Sequence, residues 1–146
     1  MKIMREILFR AKAINRDPFS EYRTSYKNGD WVYGLITRQY DERFETLPAE
    51  MTNTDGVGGI DIDYRTIGQF TGFIDQNGKK IFEGDICYVY GGECYQGYWE
   101  SNFNLVIEIN HECLWFLDNA ENVKVVGNKY DNPELFKTEK GDEGNE

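Results

Sequence analysis

The amino-acid sequence predicts a mainly β protein with little helix, and three observations predict it. Apolar residues recur with a period of two, turn-forming pairs separate those runs, and aromatics make up 15% of the chain. Alternation places one side of a strand against a core and the other in water, while Asn-Gly and Gly-Gly pairs supply the tight turns between strands. At 146 residues, with 40% hydrophobic residues, the chain has material for one ordinary core or two small ones.

The first strand is read from Glu6 onward, where Ile7, Phe9, Ala11 and Ala13 alternate with Arg10 and Lys12. Asp17-Pro18 and Asn28-Gly29 mark turns before Trp31-Val32-Tyr33-Gly34-Leu35-Ile36, a second strand expected to pair with the first. Residues 40 to 60, with Pro48, Thr52-Asn53-Thr54-Asp55 and Gly56-Val57-Gly58-Gly59, read as a lobe boundary or mobile loop. Ile60, Ile62 and Tyr64 then alternate with Asp61, Asp63 and Arg65, and a separate strand is expected from about Ile67 to Ile74.

Asp75-Gln76-Asn77-Gly78-Lys79 predicts a hairpin, because Asn-Gly accepts the positive φ of a tight β-turn. Ile81-Phe82 and Ile86-Cys87-Tyr88-Val89-Tyr90 follow as strands, divided by Glu83-Gly84-Asp85. Further strands are expected at Asn104 to Asn110, Cys113 to Leu117 and Val123 to Val126. Short strands at this spacing suit a small SH3-like barrel or roll, whose closure protects sheet edges. Asn132-Pro133-Glu134 predicts a helical turn, with a cap, a proline at the first helical position and an acid at the positive end of the dipole. The expected organisation is a β-rich lobe at 1–66, the barrel at 67–136 and a flexible acidic tail at 137–146.

The run Gly68-Gln69-Phe70-Thr71-Gly72-Phe73-Ile74-Asp75-Gln76-Asn77-Gly78-Lys79-Lys80-Ile81-Phe82-Glu83-Gly84-Asp85 closely resembles the signature of YopX-like proteins of bacterial phages and prophages. Met4 to Arg10, Trp31 to Ile36 and Val126 to Leu135 extend the resemblance to both ends, and Phe73 stands where an aliphatic residue is commoner. The resemblance implies a barrel-containing fold and a phage or prophage origin. It implies no established biochemical role, so no catalytic residues transfer. Read physically, the run is architectural: Gly72 and Gly78 form turns or bulges, while Phe70, Ile81 and Phe82 fill a core.

Net charge is −10, distributed unevenly. Residues 1–40 hold eight Lys/Arg against four Asp/Glu, whereas the remaining 106 hold eight against 22. The acidic majority disfavours nucleic acid, although Arg5, Arg10, Lys12 and Arg16 form a basic patch that could touch it. No run approaches the roughly 18 apolar residues of a membrane helix, and Cys87, Cys94 and Cys113 are an odd set without a CxxC pair. A cytoplasmic bacterial protein with reduced thiols and no membrane partner is expected.

Tyr88, Tyr90, Tyr95, Tyr98 and Trp99 gather around a Gly-rich loop and are the candidate binding residues, since aromatic loops on a barrel often serve recognition. Asp61, Asp63, Glu83 and Asp85 are the candidate metal carboxylates of an alternative hydrolase or nuclease. Cys87, Cys94, His111 and Cys113 have poor spacing for zinc. Nucleotide loops, HExxH and GxSxG are all lacking. The expectation is a non-enzymatic phage accessory protein without a cofactor, binding a protein partner or itself.

Overall fold

The computed structural model describes residues 6–15, 26–44, 47–90, 92–94, 97–99, 103–110, 113, 117 and 122–135, the side chains of 92–94 and 97–99 excepted. The chain is mainly β and divides into two compact units, Met1–Gln69 and Phe70–Glu146. The acidic tail at 137–146 lies outside the described residues.

In the first unit, β1 (Phe9–Ala13), β2 (Trp31–Arg38), β3 (Ala49–Asn53) and β4 (Ile60–Ile74, to Gln69 here) pair antiparallel. β4 also pairs with β1, so the pairings run β1-β2-β3-β4-β1 and close. Ile62 lies opposite Ala13 on one side and Ala49 on the other. A ring of four strands is narrow, and small side chains suit its interior: Ala11, Ala13 and Ala49 are buried with Val32, Met51, Ile60 and Ile62.

Two expectations are corrected here. Residues 40 to 60 hold a strand of the ring, β3, because Ala49 and Met51 face the core. Its residues, Ala-Glu-Met-Thr-Asn, have weak strand propensity, so tertiary packing decides their state. The 53–57 segment is a tight turn in which Asn53 Oδ1 accepts the N–H groups of Asp55 and Val57 at 3.0 and 2.9 Å. The two strands expected on either side of Thr66 are one 15-residue strand. Its register against β1 jumps from Lys12 opposite Asp63 to Arg10 opposite Gly68. At that bulge the Thr66 hydroxyl accepts the Lys12 N–H at 2.8 Å and donates to the Asp63 carbonyl at 2.7 Å.

The second unit contains the end of β4, β5 (Lys80–Phe82), β6 (Asp85–Val89), β7 (Gly92–Cys94), β8 (Gly97–Trp99), β9 (Phe103–Val106) and β10 (Val123–Asn128). β4 pairs with β5, β6 lies between β10 and β9, and β7 pairs with β8. Among the described residues these pairings do not close into a ring. The core gathers Ile81, Cys87, Val89, Ile107, Leu117, Val123 and Val125. Cys113 and Leu117, expected in a strand, have helical backbone and are both buried. The turn at Pro133 to Leu135 is helical as expected.

Asp75 joins the hairpin to β10. Its Oδ1 accepts the N–H groups of Asn77 and Lys79 at 2.8 and 2.9 Å, and its Oδ2 accepts the Val125 N–H at 2.9 Å. Burial alone would raise this carboxyl, but the N–H groups of Val125, Lys79 and Asn77, with the nearby Lys79 charge, hold it below the usual range. The turn beneath it has Gly78 at φ +82, where a side chain would be strained.

Gly34→Ala is expected to destabilise the first unit by about 1–3 kcal/mol through forced overpacking, measured by denaturant unfolding. A Cβ there collides with the Thr52 carbonyl oxygen and comes within 2.8 Å of Asn53 Cα. Asp75→Asn is expected to cost about 1–3 kcal/mol, since an amide replaces an acceptor-only group that serves three N–H donors. Because the folded Asp75 is depressed, its contribution is complete above the unfolded value near 3.8 and is lost as pH falls through the folded value. The variant should therefore lose less stability than the parent on acidification below about pH 4.

Candidate functional site

β6 turns its residues alternately to the two faces of the β10-β6-β9 sheet. Cys87 and Val89 enter the core, while Ile86 and Tyr88 face the other way, with Tyr90 continuing the alternation past the strand end. Ile86 is fully buried, whereas Tyr88 and Tyr90 are half-buried. The outer face is thus covered at its Ile86 end and opens toward the tyrosines. Their rings meet edge to face, with centroids 4.9 Å apart and planes at 89°, a favoured aromatic geometry.

Neighbouring strands supply polar groups beside Tyr88. Lys124 of β10 and Asn104 of β9 lie directly opposite it on either side. Asn104 Nδ2 donates to the Leu135 carbonyl at 3.1 Å, tying the helical turn to β9. Asn128 and Asn132 secure that turn: Asn128 Oδ1 accepts the N–H groups of Tyr130 and Asp131, and Asn132 Oδ1 accepts the Asn128 N–H. Lys124 is exposed and projects from the outer face at the sheet margin. Neither Asn104 nor Lys124 was among the residues expected from sequence, although Val123-Lys124-Val125 carries the alternation that puts Lys124 outside.

Of the other expected binding residues, Tyr98 and Trp99 occupy β8, opposite Glu93 and Gly92 of β7. Their side chains, and all of Tyr95, lie outside the described residues. The structure therefore brings Tyr88 and Tyr90 together and leaves the other three aromatics unassigned to that face.

Of the four expected metal carboxylates, Asp61, Asp63 and Asp85 have partners elsewhere. Asp85 is buried and its Oδ2 accepts the Phe82 N–H at 2.8 Å, closing the Glu83-Gly84 turn. Asp63 is bound through both oxygens by Arg65 at 3.0 Å, and that pairing holds its carboxyl below the usual range. Asp61 sits opposite Glu50, and Arg38 reaches Glu50 at 2.6 Å and Asp61 at 4.0 Å. Glu83 is half-buried in its turn. Among the described residues no group of three or more His, Cys, Asp or Glu could hold a metal ion.

Cys87 is a core residue, and burial, with the nearby Asp85 and Asp75 charges, pushes its thiol far up. Cys113 Sγ accepts the Glu108 N–H and donates to the Val106 carbonyl. The Cys94 side chain and His111 lie outside the described residues. In the basic patch, Arg10 is only 4% exposed and its guanidinium lies 4.5 Å from the Trp31 ring centroid, with Lys12 Nζ at 5.4 Å. The expected wet face at Arg10 is corrected: its side chain packs on an aromatic ring, which its alkyl stem and flat head favour. Arg5 and Arg16 lie outside the described residues.

The signature run thus forms a hairpin, a clasp to β10 and a tight turn. The family model described as YopX protein matches residues 9–137. The chain belongs to the YopX family. Among curated proteins, none matches it. The YopX match spans both units, and the signature residues described above hold backbone in place: Asp75 and Asp85 accept N–H groups, and Gly72, Gly78 and Gly84 take positive φ. No helix among the described residues is long and apolar enough to cross a membrane.

In the native protein, Cys87 should react with a thiol reagent at least roughly a hundredfold more slowly than in denaturant, because its protonated thiol must wait for opening of the core. Peptide-resolved mass spectrometry after timed labelling measures the rate at Cys87 separately from the other cysteines.

Proposed function

We propose that this YopX family chain is a non-enzymatic binding module, and that the outer face of β6 at Tyr88 and Tyr90 receives a protein partner. The carrying observation is the edge-to-face tyrosine pair, half-buried on the side of the sheet opposite the core and flanked by Asn104 and Lys124. Tyrosines of this kind combine apolar area with a polar tip at small entropic cost, which is why they anchor interfaces. The β7-β8 hairpin, whose sequence carries Tyr98 and Trp99, begins two residues after Tyr90. The hydrolase alternative draws no support from carboxylates already engaged in turns and ion pairs. The setting proposed is a bacterial cytosol occupied by a phage or prophage, in keeping with the YopX-like signature and the buried, unbridged Cys87 and Cys113.

The test compares the parent chain with Tyr88→Ala in affinity capture from a lysogenic host, alongside light scattering for self-association. A specific partner, or an oligomer, that the parent holds and the variant loses at nearly unchanged melting temperature is the expected result. A strict monomer with the same captured proteins in both samples would overturn the reading.

A further inference from the structure

We infer that the partner meets the Tyr88–Tyr90 face with a protein segment bearing Asp or Glu next to an apolar residue, an inference that rests on the binding reading above. The charge that strand register places at that face is positive. Lys124 of β10 lies directly opposite Tyr88, exposed and on the same side of the sheet. Asn104 of β9 is opposite on the other flank, and the described diagonal positions, Asn122, Val126 and Val106, bring no carboxylate. A second exposed cation, Lys79, stands beyond the margin of β10: its N–H and that of Val125 are held by the two oxygens of one carboxylate, Asp75.

Such a face offers hydrogen-bond donors. A lysine ammonium has three N–H donors and no acceptor, and a tyrosine hydroxyl has one O–H to give, whereas an ionised carboxylate is acceptor-only, with two oxygens. The tyrosine rings and Val126, exposed two residues along β10 from Lys124, supply apolar area for the side chain beside the acid. Glu134, next to the Leu135 whose carbonyl Asn104 holds, is exposed on the β9 side and repels an acid there, directing it toward Lys124. The net charge of −10 does not forbid such a partner, because exposed charges further away than the Debye length, about 8 Å at physiological ionic strength, are largely screened. The charge at the contact decides, and strand register has made that charge Lys124.

Lys124 also provides the test. Full-length protein is titrated at physiological ionic strength with two fluorescent synthetic peptides, one alternating Glu with Leu and one alternating Lys with Leu, and with a single-stranded DNA oligonucleotide. The Glu–Leu peptide is expected to bind, and to bind about tenfold more weakly both in Lys124→Glu and in Tyr88→Ala, whose melting temperatures are checked in parallel. Lys27→Glu, the same charge change at an exposed lysine of the first unit, is expected to leave that affinity unchanged. No binding of the Glu–Leu peptide, or equal losses in Lys124→Glu and Lys27→Glu, would overturn the inference. Tyr88-dependent binding of the Lys–Leu peptide or of the DNA in preference to the Glu–Leu peptide would overturn it too; with the Lys–Leu peptide the protein-binding reading survives, and with the DNA it falls as well.

Discussion

A buried backbone N–H must be given an acceptor, and that demand organises both units of this protein. In the first unit the strands answer it among themselves: the pairings β1-β2-β3-β4-β1 return to their start, so no strand is left with an unpaired side along its whole length. In the second unit the answer is a side chain. Asp75, fifty residues before Val125 in sequence, turns one oxygen to its own hairpin and the other to the outer side of β10. The adjacent Gln76 N–H reaches the Val123 carbonyl at 3.1 Å, so the hairpin covers β10 through backbone as well.

The same economy explains why a family signature can be long without naming a chemistry. Thr71 donates to the Ile81 carbonyl at 2.7 Å across the bulge at Gly72, Asp75 clasps β10, and Asp85 completes the turn at Gly84. Gly84 in turn links three segments, donating to the Ile107 carbonyl and accepting the Lys129 N–H, both at 2.8 Å. Each of these residues satisfies or shapes backbone at a place where few alternatives fit. The side chains of Tyr88 and Tyr90 on the outer face of β6 lie outside these contacts, so the binding proposed there leaves the frame undisturbed.

Much of the second unit was legible because its signals are local. Asn77-Gly78 closes the hairpin where expected, and Ile86 to Val89 forms a central strand. Pro133 opens a helical turn, stabilised by Asn128 and Asn132 rather than by a long helix. The candidate face was half legible: Tyr88 and Tyr90 were singled out by type, but their meeting with Asn104 and Lys124 depends on strand register, which no local pattern carries. Arg10 shows the opposite failure. Its place in an alternating strand pointed to water, and the Trp31 ring covers it.

By itself the sequence determined the β class, most of the turns and the family, because alternation, Asn-Gly pairs and positive-φ glycines act within a few residues. Only tertiary structure decided that Ala49–Asn53 is a strand of a closed ring, that Thr66 marks a bulge inside one long strand, and that Cys113 and Leu117 are helical. Those outcomes depend on partners far along the chain: β3 is held by β2 and β4, and Thr66 by the Lys12 N–H. Where local propensity is weak, the pairing of distant backbone and the burial of a few side chains outweigh it.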